Sequence, residues 1–260
     1  GKDNISIDKN LTNTNNVQTS GDLLAKDTIN TGTIITEGNI TLGILDNSGE
    51  ITSNKKLTTT TLENRSGAKI STGEGIQNNG TRNLGEINTN DNFVISGNLE
   101  NYSVMNIGGL LNVNNLLNTG SLKAVDKIYT SGVSFNNSGE ILTTLLDINS
   151  TGILNTNKIT VIDNARLNGS NVTNNGYISG TNIEIITAGL TNTGTLAADE
   201  LIKANNTTIN NTGYIGSNSK VNLSGSNFTN SGTVESSEIE LYNMSGYNNT
   251  SLIRGGNVSL

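Results

Sequence analysis

An all-β fold, a right-handed parallel β-helix of about 14 coils with about 18 residues in each, is predicted from three features of the sequence. A five-residue string returns at a nearly constant interval along the whole chain. Single Ile, Leu and Val residues alternate with polar ones, which is the period of strands. Pro is absent, as expected of chain that lies almost entirely in sheet ladders, where a residue without an N–H is excluded.

The string is Asn-[Thr/Ser]-Gly-x-[Ile/Leu/Val]. It begins at Asn30, Asn47, Asn118, Asn137, Asn192, Asn211 and Asn230, with Gly32, Gly49, Gly120, Gly139, Gly194, Gly213 and Gly232 at its third position. Looser copies begin at Asn13, Asn64, Asn83, Asn101, Ser150, Asn174 and Asn249. Most starts lie about 17 to 19 residues apart, the spacing of a solenoid and shorter than a helical repeat or a propeller blade. Around Ser150 the spacing first shortens and then lengthens, which predicts a short coil followed by one with an outward loop at 162–170. Residues 1–260 are expected to form a single β-helix segment of a larger protein.

Aligning the copies assigns each position to a face, because every second side chain of a strand points the same way. Two residues before the motif stand Leu11, Leu45, Leu62, Leu99, Leu116, Phe135, Ile148, Val172, Leu190, Ile209, Phe228 and Tyr247. Four residues after its Asn, apart from small insertions, stand Val17, Ile34, Ile51, Ile87, Met105, Leu122, Ile141, Leu154, Ile178, Leu196, Ile215, Val234 and Ile253. Both columns are predicted to face inward. A third apolar pair follows, as in Ile40 and Leu42, Phe93 and Ile95, Ile183 and Ile185, Val221 and Leu223, and Ile239 and Leu241. One coil cannot bury these residues alone. Stacking at about 4.8 Å per coil would align like with like and give a rod on the order of 65 Å long.

The motif Asn and Gly are expected at sharp turns, where both tolerate left-handed backbone angles. Repeated Asn residues can also stack as an amide ladder that satisfies polar groups at a buried corner. An AT-rich genome would explain many of the Asn residues but not their phase.

Composition excludes several functions. The net charge is −7, and the densest basic run is only Lys55-Lys56, so no surface for neutralising nucleic-acid phosphates is expected. No apolar run approaches the length of a membrane-spanning helix, so no membrane insertion is expected. The lack of Cys removes disulfides and thiolate chemistry together.

Segments such as Leu190-Thr191-Asn192-Thr193-Gly194-Thr195-Leu196 and Phe228-Thr229-Asn230-Ser231-Gly232-Thr233-Val234 carry a further implication. In their recurrence over the whole chain, they resemble the repeats of filamentous-haemagglutinin-like exoproteins, the cargo of two-partner secretion in Gram-negative bacteria. The resemblance implies a right-handed parallel β-helix, exported through an outer-membrane transporter by a segment not present here and displayed on the exterior of the outer membrane. It implies attachment to host cells or to a bacterial surface receptor or glycan. The alternative is a stalk or receptor-binding section of a contact-dependent growth-inhibition toxin-delivery protein. The family's Asn-Pro motifs and its Val-Glu-Asn-Asn string are both missing, so the resemblance is to its middle repeats.

No enzyme is expected, because Glu50, Glu86 and Glu140 share one outward position on separated coils and form no cluster of mutually perturbed groups. No cofactor or metal is expected either, since Gly-Gly-x-Gly-x-Asp units are absent and Asp residues are unphased. The candidate binding residues are Tyr177 and Tyr214. Both occupy the outward position three after the motif Asn, alternating with Thr195 and Thr233 in a chain with only 3% aromatic residues. Tyr offers an apolar face and a hydroxyl, which suits contacts with carbohydrate or protein.

Overall fold

The computed structural model describes residues 3–260, without the side chains of Asn206 and Thr207. The strands pair in parallel with partners about 18 residues away, so the chain is a parallel β-solenoid of about 14 turns. It separates into two compact units, Gly1–Asp126 and Lys127–Leu260.

In the first unit most coils contribute three short strands, and later ones join two of them, as in Phe93–Asn101 and Leu111–Asn118. One ends on the motif Asn, as in Ile44–Asn47, Thr61–Asn64 and Gly80–Asn83. The next follows the motif, as in Glu50–Ser53, Lys69–Thr72 and Glu86–Thr89. The third includes Ile40–Thr41, Leu57–Thr58 and Ile76–Asn78. The second unit repeats this plan with strands that run on across the corners, up to the 17 residues of Thr195–Asn211.

Alternation determines the core. Ile34, Ile51, Ile70, Ile87, Met105 and Leu122 stack in register and are fully buried. In the second unit Ile141, Ile159, Ile178, Leu196, Ile215 and Val234 do the same. Each such side chain stabilises the fold by about 1.5–3 kcal/mol, and only while a coil lies on both sides of it. Leu11, Val17 and Ile253 are accordingly half-buried, and Tyr247 is exposed, stacking its ring on Phe228 at 5.6 Å between centroids.

One stretch departs from the expected phase. Asn137 pairs with Asn155, and Asn155 with Asn174, so the unit begins at Asn155 and not at Ser150. Ile153 is then buried, whereas Leu154 points outward and is 36% exposed. Ile148 is buried, but beside Leu167 in the third strand column. The outward loop is absent, because Asn164–Asn174 is one continuous strand. A one-residue slip exchanges inward and outward side chains. The adopted phase puts Asn155 into the stack of amides and buries Ile153 and Ile159.

That amide stack is the buried corner of each unit. In the first, Asn13, Asn30, Asn47, Asn64, Asn83, Asn101 and Asn118 each donate from Nδ2 to Oδ1 of the next, as far as Asn118, at 2.7–2.9 Å. In the second, Asn137, Asn155, Asn174, Asn192, Asn211, Asn230 and Asn249 do so at 2.7–2.8 Å. The same Nδ2 also meets backbone carbonyls. Asn192, for example, donates to Gly194 at 3.3 Å and to Tyr214 on the next coil at 3.0 Å. Nearly all of these amides are completely buried, which such bonding makes affordable.

The motif glycines are explained differently from the sequence expectation. Among the described residues, left-handed backbone occurs only at Gly67 (φ 78), in the looser copy that begins at Asn64, and at Asn243 (φ 59), and at no residue of the seven exact copies. Close stacking is what requires Gly. A Cβ on Gly194, Gly213 or Gly232 would overlap the carbonyl oxygen of the residue directly beneath, respectively Gly176, Gly194 and Gly213. Where that position carries a side chain, the next interturn bond lengthens. Val104 N–H reaches Gly85 O at 3.4 Å past Ser103, and Lys158 N–H reaches Gly139 O at 3.3 Å past Asn157. The corresponding bonds of Thr195, Tyr214 and Thr233 are 2.7–2.8 Å. Gly213→Ala is therefore expected to cost about 1–3 kcal/mol in urea unfolding, the usual range for overpacking.

A second buried polar column escaped the sequence reading. Thr19, Thr36, Ser53, Thr72 and Thr89 stack in register six or eight residues after the motif Asn. Thr36 and Ser53 donate to Gly38 O at 3.0 and 2.8 Å, and Thr72 and Thr89 to Glu74 O at 2.7 and 2.6 Å. These hydroxyls satisfy carbonyls at the next corner of the coil. The alignment that revealed the Asn phase contains this column too, at the position where Ile107 and Ala124 later take over.

Candidate functional site

Tyr177 and Tyr214 stand on one outward column of the second unit, Lys158, Tyr177, Thr195, Tyr214 and Thr233, set by in-register pairing of successive coils. Two coil steps separate the tyrosines, roughly 9–10 Å of backbone. Beside them runs a second outward column, Thr160, Ser179, Ala197 and Gly216, whose small side chains form a floor. Asp199 and Asn218, at the turn beyond, close the far side. Together these residues line a groove of about 380 Å³ that includes both tyrosines. A second depression, of about 660 Å³, shares Thr160, Tyr177 and Ser179 and extends to Asn157 and Lys158, so Tyr177 stands between the two.

The two rings differ in setting. Tyr177 is 40% exposed. Tyr214 is half-buried, and its ring lies across Gly216: a Cβ there would meet Oη, Cζ and Cε1 of the tyrosine. Gly216 is buried although it sits at an outward position. Glycine thus lets the ring fold down onto the sheet. Both tyrosines were singled out from sequence, whereas Ser179, Ala197, Asp199, Gly216 and Asn218 were not. Their signal was faint, a run of small residues two places after the aromatic column.

Glu238 and Glu240 share Lys220, at 3.2 and 2.8 Å, whereas Glu50, Glu86 and Glu140 are set apart by lysines. Lys69 is stacked between Glu50 and Glu86, and Glu140 lies beside Lys158. Elsewhere opposite charges alternate up the coils, a pattern the sequence reading did not extract. Arg82 meets Glu63 at 2.8 Å and Glu100 at 3.6 Å. In the second unit Asp147 meets Lys127 at 2.7 Å and Arg166 at 3.5 Å, Arg166 meets Glu184 at 3.6 Å, and Glu184 meets Lys203 at 3.9 Å. Exposed pairs contribute little stability individually. In-register stacking would otherwise set like charges one coil apart, so alternation removes a repulsion and favours one register.

Arg65 grips both oxygens of Asp46, at 2.5 and 2.6 Å, and this hydrogen bonding holds the Asp46 carboxyl below its ordinary range. A depressed folded-state value means that the pair's contribution is present above the unfolded carboxyl value and is lost as pH falls through the folded one. An NMR titration should find Asp46 below a free aspartate, and Arg65→Gln should return it to that range.

Among the described residues no group of three or more Asp and Glu side chains is placed to hold a metal ion, and no helix is long and apolar enough to cross a membrane. No family model, curated protein or solved structure matches the chain.

Proposed function

We propose that this chain is a structural and adhesive segment of a large secreted bacterial surface protein of the filamentous-haemagglutinin-like kind, with a non-catalytic role in attachment to cells. On this reading it leaves the cell through an outer-membrane two-partner secretion transporter engaged by another segment. It then stands on the exterior of a Gram-negative outer membrane. The observation that carries the reading is the stack of similar coils, which repeats outward columns of polar side chains, with carboxylates such as Glu63, Asp147 and Glu184 paired with Lys and Arg of neighbouring coils. Repetition of this kind multiplies contact surface, whereas catalysis needs several groups gathered at one place.

The test is attachment of the purified 260-residue chain, coupled to beads, to epithelial cells and to bacterial cells. Saturable retention that soluble chain competes away is the expected result. Retention no greater than that of beads carrying an unrelated β-solenoid would overturn the adhesive role.

A further inference from the structure

We propose that the groove framed by Tyr177 and Tyr214 binds a linear, uncharged β-1,4-linked glycan laid along the stacking direction of the coils, with one sugar on each tyrosine. This rests on the attachment reading above and names the chemistry of its ligand.

The spacing points to the linkage. Successive sugars of an extended β-1,4 chain are turned over, so every second sugar presents the same face, and the repeat is close to two coil steps. Tyr177 and Tyr214 are two coils apart, with Thr195 between them under the sugar that is turned over. A sugar face carries a patch of C–H groups with slight positive charge, which favours the electron-rich face of an aromatic ring. The Tyr214 ring, folded down over Gly216, offers such a face.

The floor and rim point to a flat polar ligand. Ser179 and Ala197 leave room for a sugar to settle against the sheet, and Gly216 leaves room for the Tyr214 ring, whereas bulky side chains at these positions would hold both off. Ser179, Asp199 and Asn218 supply acceptors and donors for sugar hydroxyls along one side. Asp199 is exposed and has no ion pair among the described residues. Its carboxylate disfavours a sulfated or uronic-acid chain in the groove, and Lys158, which lines the adjoining depression, lies on the coil beyond Tyr177.

The experiment titrates the 260-residue chain with cellohexaose, chitohexaose and a heparin hexasaccharide. Calorimetry is followed alongside tyrosine fluorescence, which reports directly because the chain has six Tyr and no Trp. Saturable binding of at least one neutral hexasaccharide is expected, with the heparin fragment at least about tenfold weaker. Tyr177→Ala and Tyr214→Ala should each weaken binding about tenfold or more, with unchanged circular dichroism and melting temperature. Gly216→Ala keeps both rings but lifts that of Tyr214, and should weaken binding similarly. Tyr214→Phe, which keeps the face, should retain it. Failure of both neutral probes to bind, preference for the heparin fragment, or wild-type binding by both Tyr→Ala variants would overturn the proposal. The bead assay separates the two ideas: attachment undiminished in the Tyr→Ala variants removes the glycan groove and leaves the adhesive role standing.

Discussion

Replacing Ile215 by Asp is expected to destabilise the second unit by more than about 4 kcal/mol. Ile215 is completely buried, stacked between Leu196 below and Val234 above. The change removes an apolar side chain from two coil interfaces at once and puts a carboxylate where the neighbouring coils offer only aliphatic carbon. Loss of the packing alone costs about 2–5 kcal/mol, and the unpaired charge adds its desolvation. Because a domain of this kind commands only about 5–15 kcal/mol, the variant should be largely unfolded at temperatures the parent survives. Thr233→Asp is the control, since Thr233 occupies the outward column beside Tyr214. Its effect should lie within about 0.5 kcal/mol. Equal loss in the two variants, measured by urea unfolding followed by circular dichroism, would mean that the inward and outward columns were wrongly assigned.

The Asn192→Asp change is nearly isosteric, yet about 3–5 kcal/mol is expected from it at neutral pH. The amide of Asn192 receives a hydrogen bond from Asn174 and donates to Asn211 Oδ1, Gly194 O and Tyr214 O. A carboxylate keeps the first contact and turns the other three into encounters between acceptors. Burial among carbonyl oxygens raises the folded-state pKa of the introduced carboxyl above the unfolded value of about 3.9. The folded form then binds the proton more tightly. The deficit relative to the parent should shrink as pH falls through the raised value and become constant below both values. Asn175→Asp makes the same chemical change one residue from the ladder, on an exposed side chain, and should be nearly silent. A pH-independent deficit in Asn192→Asp, or an equal one in Asn175→Asp, would remove the ladder from the account of stability.

Much of the architecture is legible in the sequence because a solenoid writes its period into the chain. The phase of the motif Asn and the two apolar columns beside it locate the corner and its flanking strands, and the structure stacks Ile178, Leu196, Ile215 and Val234 in one column. Legibility fails where two phases compete. Ser150-Thr151-Gly152 matches the motif better than Asn155-Thr156-Asn157, yet Asn157 stands at the Gly position just as Asn15 does after Asn13. Local resemblance favoured the first phase, whereas the structure places Asn155 between Asn137 and Asn174 in the amide ladder.

By itself the sequence determined the fold class, the coil period, most of the apolar residues that face inward and the two tyrosines that stand out. These follow from alternation and repetition, which are properties of the chain read in one dimension. Only the tertiary structure decided why the motif needs glycine, which charges meet across coils, and what surrounds Tyr177 and Tyr214. Each of these depends on the atom about 4.8 Å above or below, contributed by a residue some 18 positions away in sequence. The overlap of a Gly194 Cβ with Gly176 O, the pairing of Arg166 with Glu184 and the folding of the Tyr214 ring over Gly216 arise only once the coils are stacked in register.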